Sequence, residues 1–264
     1  MPPSPISHLP SPQNRTAILI TGHMRTFDRC LPTQYHHVFR HYPAADFFVS
    51  TINDADTHKA QLLHNYYGSQ RVWIDVTGEQ PALPLPAGCP PEESYVPGQY
   101  FMHEPYAISV CPQAILRQLW QLNQAWAHFV TAVQADGRQI GDYTTILRVR
   151  PDSYFHSYVP IDQCYPPCAY TPWWGRFGGI NDRFALLSLD AAEAYHTTWR
   201  YLDQLVDGAC PLHPESLIYT QLQARGIMHW GDLRAEFSTL KQVAGQFQVR
   251  PPEISPIDLA HLRS

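Results

Sequence analysis

The chain has 264 residues, of which 44% are hydrophobic and 16% charged, and its formal net charge at pH 7 is −5. A chain of this length and hydrophobicity can bury a substantial core, which argues against wholesale disorder. The net negative charge contrasts with the basic composition typical of a nucleic-acid-binding protein. No apolar run is long enough for a membrane-spanning helix.

The N-terminal segment, residues 1–14, is proline-rich and has neither the basic region nor the apolar core of a secretory signal. We therefore expect a flexible tail there. The six cysteines are scattered, and the one close pair, Cys164 and Cys168, has no second pair to complete a zinc ribbon or a disulfide framework. These features predict a reduced, cytoplasmic protein.

Predicted strands and helices alternate in the first part of the chain. Short apolar runs indicate buried strands at residues 17–20, 46–51 and 71–76. Weaker helical patterns separate them, over about residues 30–42 and 57–67. Because strands joined by helical crossovers form parallel sheets, the pattern predicts an α/β fold whose central sheet is mostly parallel and flanked by helices.

A proline-rich segment, residues 77–106, comes next and predicts a long irregular loop or an insertion. The strongest helix follows, since apolar residues from Ile115 to Val133 recur at intervals of three and four. A further strand at residues 143–150 must stop at Pro151, because proline cannot continue a central ladder.

Shorter elements complete a single predicted domain over residues 15–250, which a C-terminal tail, residues 251–264, follows. A capping box of Asp190 and Glu193 begins a predicted helix that ends near Gly208. The other predicted elements are strands at residues 168–171, 183–188 and 227–230 and a helix at residues 214–226.

Polar residues follow two of the predicted strands, where a parallel sheet binds ligands. After the first strand, Gly22 permits a sharp turn and Arg25 can bind phosphate oxygens through two hydrogen bonds; the alternative is a tight turn with a solvated arginine. At the end of the fourth strand, Arg148, Arg150 and Asp152 converge. A carboxylate there suits Mg²⁺ or Mn²⁺ bridging a diphosphate, and the alternative is a structural Arg–Asp pair.

A third group of candidate residues lies in the segment 173–184. Trp173 and Trp174 offer ring faces that can stack on a sugar, and Asn181 and Asp182 offer hydrogen-bond acceptors. Because residues 173–182 are also rich in glycine, we expect them to form a loop that is mobile without ligand and closes over a bound donor. The alternative is a rigid surface loop that the tryptophans anchor.

The order of these motifs resembles the glycosyltransferases of the GT-A fold. The likeness is greatest to bacterial and viral glycosyltransferase-like families in which R-x-RPD replaces the usual Asp-x-Asp. It covers residues 15–230, and its most specific parts are residues 147–152 and the N-D-R-F-A sequence at residues 181–185. The resemblance implies a GT-A-like, Rossmann-like domain that moves a sugar from a nucleoside-diphosphate sugar to a glycan or other small acceptor.

The resemblance also implies roles for individual residues. Asp182 and Glu215 become the catalytic candidates, and Asp152 takes the place of the last metal-binding aspartate, for Mn²⁺ or Mg²⁺. Arg150 stands where the first aspartate is usual, and an arginine there can neutralise diphosphate charge itself. The residues implied in substrate binding are Arg25, Asn53, Asp54, Arg150, Trp173, Trp174 and Asn181.

Two other function classes stay open at this point. A non-catalytic nucleotide- or sugar-binding protein on the same scaffold would bind a nucleotide sugar without turning it over. A metal-dependent phosphohydrolase also uses aspartates at strand ends, although the chain has few clustered Asp and His residues for a two-metal site. Nucleic acid is not an expected partner.

Overall fold

A computed structural model describes residues 15–78, 83–86, 112–159, 168–176, 179–208, 210, 212–243 and 246–252. The predicted tail at residues 1–14 lies outside this part of the chain. So do most of the predicted loop at residues 77–106 and most of the predicted tail at residues 251–264.

The strands of the described residues form a seven-stranded sheet and a small three-stranded sheet. In chain order they are β1 (Arg15–Thr21), β2 (Asp46–Ile52), β3 (Val72–Thr77), β4 (Tyr143–Val149), β5 (Ser153–Phe155), β6 (Cys168–Pro172), β7 (Phe184–Leu187), β8 (Met228–Leu233), β9 (Phe237–Val243) and β10 (Gln246–Arg250).

The large sheet has the strand order β3-β2-β1-β4-β7-β6-β8. Its strands run parallel except for β7, which pairs antiparallel with both β4 and β6. The prediction of an α/β fold with a mostly parallel sheet is therefore confirmed, and the architecture is compatible with a Rossmann-like fold. Because the order begins 3-2-1-4, the direction of chain progression reverses between β1 and β4.

Helices cover both faces of the large sheet. They are α1 (Phe27–His37), α2 (His64–Tyr67), α3 (Pro112–Ala135), α4 (Leu189–His196), α5 (Leu202–Asp207) and α6 (Pro214–Ala224). In β1, Ala17 and Leu19 pack into the core beneath α3, α4 and α6, whereas Ile18 and Ile20 pack into the core that contains α1. Burial on both faces explains why β1 has a continuous apolar run and no alternation.

The small sheet, with the order β10-β9-β5, lies at the carboxyl end of β4. Its middle strand bonds to the segments that follow β4 and β1, since the Leu240 N–H donates to the Asp152 carbonyl (2.8 Å) and the Thr26 hydroxyl donates to the Leu240 carbonyl (2.9 Å). The sequence interpretation missed all three of these strands. The strand predicted at residues 227–230 corresponds to β8, which belongs to the large sheet.

Several predicted helices differ in extent. The helix predicted to run to Gly208 is interrupted after α4 by a 3-10 turn at Thr198–Tyr201, because the hydroxyls of Thr197 and Thr198 bond back to helix carbonyls. Its N-cap is Ser188, whose hydroxyl accepts from the Ala191 N–H, so the predicted capping box was wrong. The helix predicted at residues 57–67 is mostly a 3-10 helix, Thr57–Leu63.

None of the helices in the described part of the chain has the length and apolar character required to cross a membrane.

Candidate functional site

A cleft of about 340 Å³ opens at the carboxyl edge of the large sheet, between the ends of β1 and β4. One wall comes from the segment 21–26 and another from Arg148, Arg150, Pro151 and Asp152. Side chains of α3 and of β9 complete it. This is the point of strand-order reversal, where open α/β sheets bind their ligands.

Gly22 allows the two strand ends to approach each other. Its φ of 134° lies in a region that residues with a Cβ rarely adopt, and its N–H donates to the Ser50 carbonyl of β2 (3.2 Å). A Cβ at this position would lie 3.3 Å from Cδ of Pro151. The sharp turn predicted after the first strand is therefore present, and the Pro151 ring packs directly against it.

Arg148 is the most unusual residue of the cleft. Alternation along β4 directs Arg148 and Arg150 to the same face of the sheet, the face that α3 covers. Arg148 is only 2% exposed, and its Nε and Nη1 atoms have no hydrogen-bond partner among the described residues. Burial lowers the pKa of the Arg148 guanidinium, although an arginine remains charged in proteins.

Arg150 and Asp152 form a two-pronged ion pair. Arg150 Nε donates to one carboxylate oxygen of Asp152 (2.9 Å), and Nη2 donates to the other (2.8 Å). Burial by itself raises the pKa of Asp152, but the Arg150 charge and its hydrogen bonds outweigh that and hold the pKa below its usual value. This is the Arg–Asp pair that the sequence offered as the alternative to a metal ligand.

The donor set around Asp152 does not fit a hard cation in this conformation. Mg²⁺ and Mn²⁺ require several free oxygen ligands. Here both carboxylate oxygens accept from Arg150, and the other charged groups that line the cleft in the described chain are arginines. We therefore derive no step through a metal, and metal ligation by Asp152 stays a prediction.

Gln34 holds the turn that carries this ion pair. The side chain is fully buried, and its Nε2, which has two N–H groups to donate, lies within hydrogen-bond distance of the carbonyl oxygens of Arg150 (3.2 Å), Pro151 (3.1 Å) and Ser153 (2.9 Å). Gln34 was not predicted from the sequence. A polar residue on the buried side of α1, between Leu31 and Val38, was the available signal.

The predicted residues at the ends of β1 and β2 divide between the cleft and its surroundings. Arg25 is exposed and lines the cleft. Asn53 and Asp54 are not among the residues that line it, but Asp54 contacts the lining residue His23, whose Nδ1 lies 2.8 Å from the carboxylate. Nucleoside binding by Asn53 and Asp54 stays a prediction.

Asp182 and Glu215 form a buried acidic pair next to the cleft, with 3% and 6% exposure. Gln118 of α3, which lines the cleft, donates a hydrogen bond to the Asp182 carboxylate. Glu215 Oε2 lies 3.1 Å from Nε2 of His213. Burial, with the nearby Asp182 charge, raises the pKa of Glu215 well above its usual value, and burial lowers the pKa of His213 to about 4.

Gly179 brings the two acids together. A Cβ there would lie 2.1 Å from the Glu215 carbonyl oxygen, so only glycine fits, and the next residue, Ile180, donates its N–H to the same oxygen (3.2 Å). The loop before β7 thus packs directly on the first turn of α6. The structure therefore places Asp182 and Glu215 in one cluster, and their catalytic roles stay predictions.

The side chains of Trp174 and Asn181 are buried and form hydrogen bonds with backbone groups of the protein. Trp174 is 3% exposed, and its Nε1 donates to the Ala235 carbonyl (3.0 Å). The Asn181 amide donates to the Trp174 carbonyl (2.7 Å), and its oxygen accepts from the Arg183 N–H (2.9 Å). Trp173 is only partly buried. The Trp174 contacts favour the anchored loop, while closure over a donor and sugar contacts by these residues stay predictions.

The sequence interpretation also missed the side of the cleft that α3 supplies. Arg117, Gln118 and Gln121 line the cleft, and Arg117 is exposed. Their spacing puts them on adjacent rows of the helix. These polar residues recur beside the apolar face of the helix, and that polar pattern was the available signal.

Comparison with known proteins adds no family assignment. No protein-family model matches the chain, and no curated protein matches it significantly. The functional assignment therefore depends on the geometry of the cleft and on the motifs.

Proposed function

We propose that the chain is a glycosyltransferase with a GT-A-like fold that moves a sugar from a nucleoside-diphosphate sugar to a glycan or other small acceptor. The observation that carries the proposal is the composition of the cleft at the β1/β4 reversal. Four arginines and a single carboxylate line it within the described residues, and a buried acidic pair lies directly behind Gln118. A cationic cleft next to carboxylates provides both groups that sugar transfer requires.

The arginines suit the leaving group. When the anomeric C–O bond of the donor breaks, the electron pair stays on the nucleoside diphosphate, whose negative charge increases. Preorganised cations stabilise such charge most strongly where water is excluded. Arg148 and Arg150 supply cations in the depth of the cleft, and Arg25 and Arg117 supply them at its exposed part.

Asp182 is the better candidate for the base. In an inverting reaction the acceptor hydroxyl gives its proton to a carboxylate while its oxygen attacks the anomeric carbon. The raised pKa of Glu215 favours its protonated form, which has less capacity to accept that proton. Asp182 is linked to the cleft through Gln118. We therefore assign the proton transfer to Asp182 and a supporting contact to Glu215.

Release of nucleoside diphosphate from a panel of nucleotide sugars, with and without simple sugar acceptors, tests the proposal. We expect turnover for at least one donor, and stabilisation of the fold by about 2.7 kcal/mol when that donor is present at a hundred times its Kd. The Asp182→Asn variant should lose about 100-fold in turnover while still binding the donor.

The matched control is Asp207→Asn, because Asp207 is exposed at the end of α5, away from the cleft. Its turnover should equal that of the parent chain. Saturable binding without release of nucleotide would instead support the binding-protein alternative. If no nucleotide or nucleotide sugar binds, the donor-site assignment is wrong.

A further inference from the structure

We infer that the cleft binds the diphosphate group of its ligand without a divalent cation, and that the ligand supplies the hydrogen-bond acceptors that Arg148 lacks. The inference rests on the proposed function for the identity of the ligand. Beyond that function, it states that arginines and not a metal ion neutralise the charge of the ligand.

The first observation is that Arg148 is buried and lacks hydrogen-bond partners for two of its nitrogens in the described chain. A buried charge is strongly unfavourable unless it is paired and hydrogen-bonded. Arg148 is almost completely buried, it lines the cleft, and Nε and Nη1 have no partner in the described part of the chain. A diphosphate carries several anionic oxygens, and the planar guanidinium fork matches two of them at once. Binding a diphosphate would therefore complete a group that the protein leaves incomplete.

The second observation is the state of Asp152. Its two oxygens are both occupied by Arg150, at 2.9 and 2.8 Å, so a cation could reach them only by displacing that arginine. Displacement would leave Arg150 without its partner beside Arg148, and two adjacent unpaired guanidiniums repel a divalent cation and each other. Asp152 is better suited to orient Arg150 toward the ligand.

The distribution of charge over the cleft agrees with this assignment. Arg25 lies on the wall that follows β1, Arg117 lies on the α3 wall, and Arg148 and Arg150 lie at the end of β4. A diphosphate between these walls would meet guanidinium groups from three separate elements. This arrangement supplies by hydrogen bonds the charge compensation that a metal ion supplies elsewhere.

Calorimetric titration with ADP, CDP, GDP and UDP, each in EDTA and in MnCl₂, tests the inference. We expect at least one of them to bind in EDTA with an affinity that changes by less than about tenfold when Mn²⁺ is present. Inorganic pyrophosphate in EDTA should compete with that nucleotide, whereas orthophosphate at the same concentration should compete much less.

Two variants test the arginines separately. Arg148→Met should weaken nucleotide binding in EDTA by about 30-fold or more, and its melting temperature without ligand should not fall, because the substitution removes an unpaired buried charge. Arg117→Gln, at an exposed position of α3, should weaken binding by about tenfold without affecting folding. The matched control is Arg40→Gln, because Arg40 is exposed and does not line the cleft.

The outcomes separate this inference from the proposed function. Binding that appears only with Mn²⁺ overturns the metal-free inference and leaves the transferase proposal standing. An Arg148→Met variant that is unfolded, or that binds as the parent does, shows a structural role for Arg148 and also overturns the inference. Failure of all four nucleotides to bind in both buffers overturns both proposals.

Discussion

Two largely buried arginines lie at opposite edges of the central sheet, and they differ in their partners. At the amino edge, Arg138 contacts the carboxylate of Asp46 and the hydroxyl of Tyr143 (2.6 Å), and its guanidinium lies 4.8 Å from the centre of the Trp73 ring. At the carboxyl edge, Arg148 forms no ion pair with a described residue, and its Nε and Nη1 atoms have no hydrogen-bond partner there. Arg138 also has two nitrogens without a hydrogen-bond partner in the described chain, Nε and Nη2, but its Nε lies 2.6 Å from the Asp136 carboxylate.

The two arginines differ in the way that a structural charge is expected to differ from a ligand-binding one. Both residues bury the same guanidinium group, and the desolvation cost of a buried charge must be compensated. The protein compensates the charge of Arg138 with its own carboxylate, phenol and indole. Arg148 has no carboxylate partner within the described chain, and it lines a cleft. We therefore expect stability to depend on Arg138 and ligand binding to depend on Arg148.

The largest expected effect is on stability at the amino edge. Arg138→Met leaves the Asp46 carboxylate buried without its closest cation, so the free energy of unfolding should fall by about 3 kcal/mol, the lower end for breaking a buried ion pair. Urea denaturation of this variant beside Arg148→Met measures the contrast directly. Equal losses of unfolding free energy in the two variants would show that both arginines have the same structural role.

The next largest effect concerns the packing of the loop before β7 on the first turn of α6. Gly179→Ala should lower the free energy of unfolding by about 2 kcal/mol or more, because the added Cβ overlaps the Glu215 carbonyl. Gly141→Ala is the matched control, since nothing lies within 4 Å of a Cβ there. Thermal unfolding of both variants checks the prediction, and an unchanged Gly179→Ala protein would show that the loop does not pack on α6.

A smaller effect on stability and a larger one on turnover are expected for Asp152→Asn. The substitution removes the charge that orients Arg150, so turnover should fall by about 10- to 100-fold, the range for a lost charged hydrogen bond. The free energy of unfolding should change by about 1 kcal/mol or less, because the pair is partly exposed. A variant that loses stability but keeps its turnover would place Asp152 with the structural charges.

The smallest effect is a dependence of stability on pH. The folded pKa of Glu215 lies above its usual value of 4.5, so the folded protein binds the proton more tightly, and that stabilisation disappears as pH rises through the folded pKa. Gln cannot titrate. The unfolding free energy of Glu215→Gln should therefore increase relative to the parent as pH rises.

The pH window for this measurement should avoid His213. Its pKa is lowered to about 4, so between that pH and about 6.5 its titration changes stability in the opposite direction. Above about pH 7.5 His213 is almost entirely neutral in both states, and denaturation at several pH values there isolates Glu215. A parent and variant with parallel profiles over that range would show that the Glu215 carboxyl is not held in its neutral form.

The fold of the first half was largely predictable from local pattern. The apolar runs of β1, β2 and β3 and the three-and-four spacing of α3 report burial directly, because an element with one or two buried faces must show them in its own sequence. The position of residues 22–26 and 150–152 beyond strand ends follows from the same pattern. These two segments do meet in one cleft.

Tertiary structure decided which of those residues have partners. Nothing in the local sequence distinguishes Arg148 from Arg150, yet Asp152 pairs with Arg150 and not with Arg148. Gln34, more than a hundred positions away in the chain, holds the turn that follows Arg150. The strand β10 was missed because it is exposed along its whole length and has no buried face in its sequence. Periodicity records how much of an element is buried, whereas the identity of a distant partner depends on packing that no local window contains.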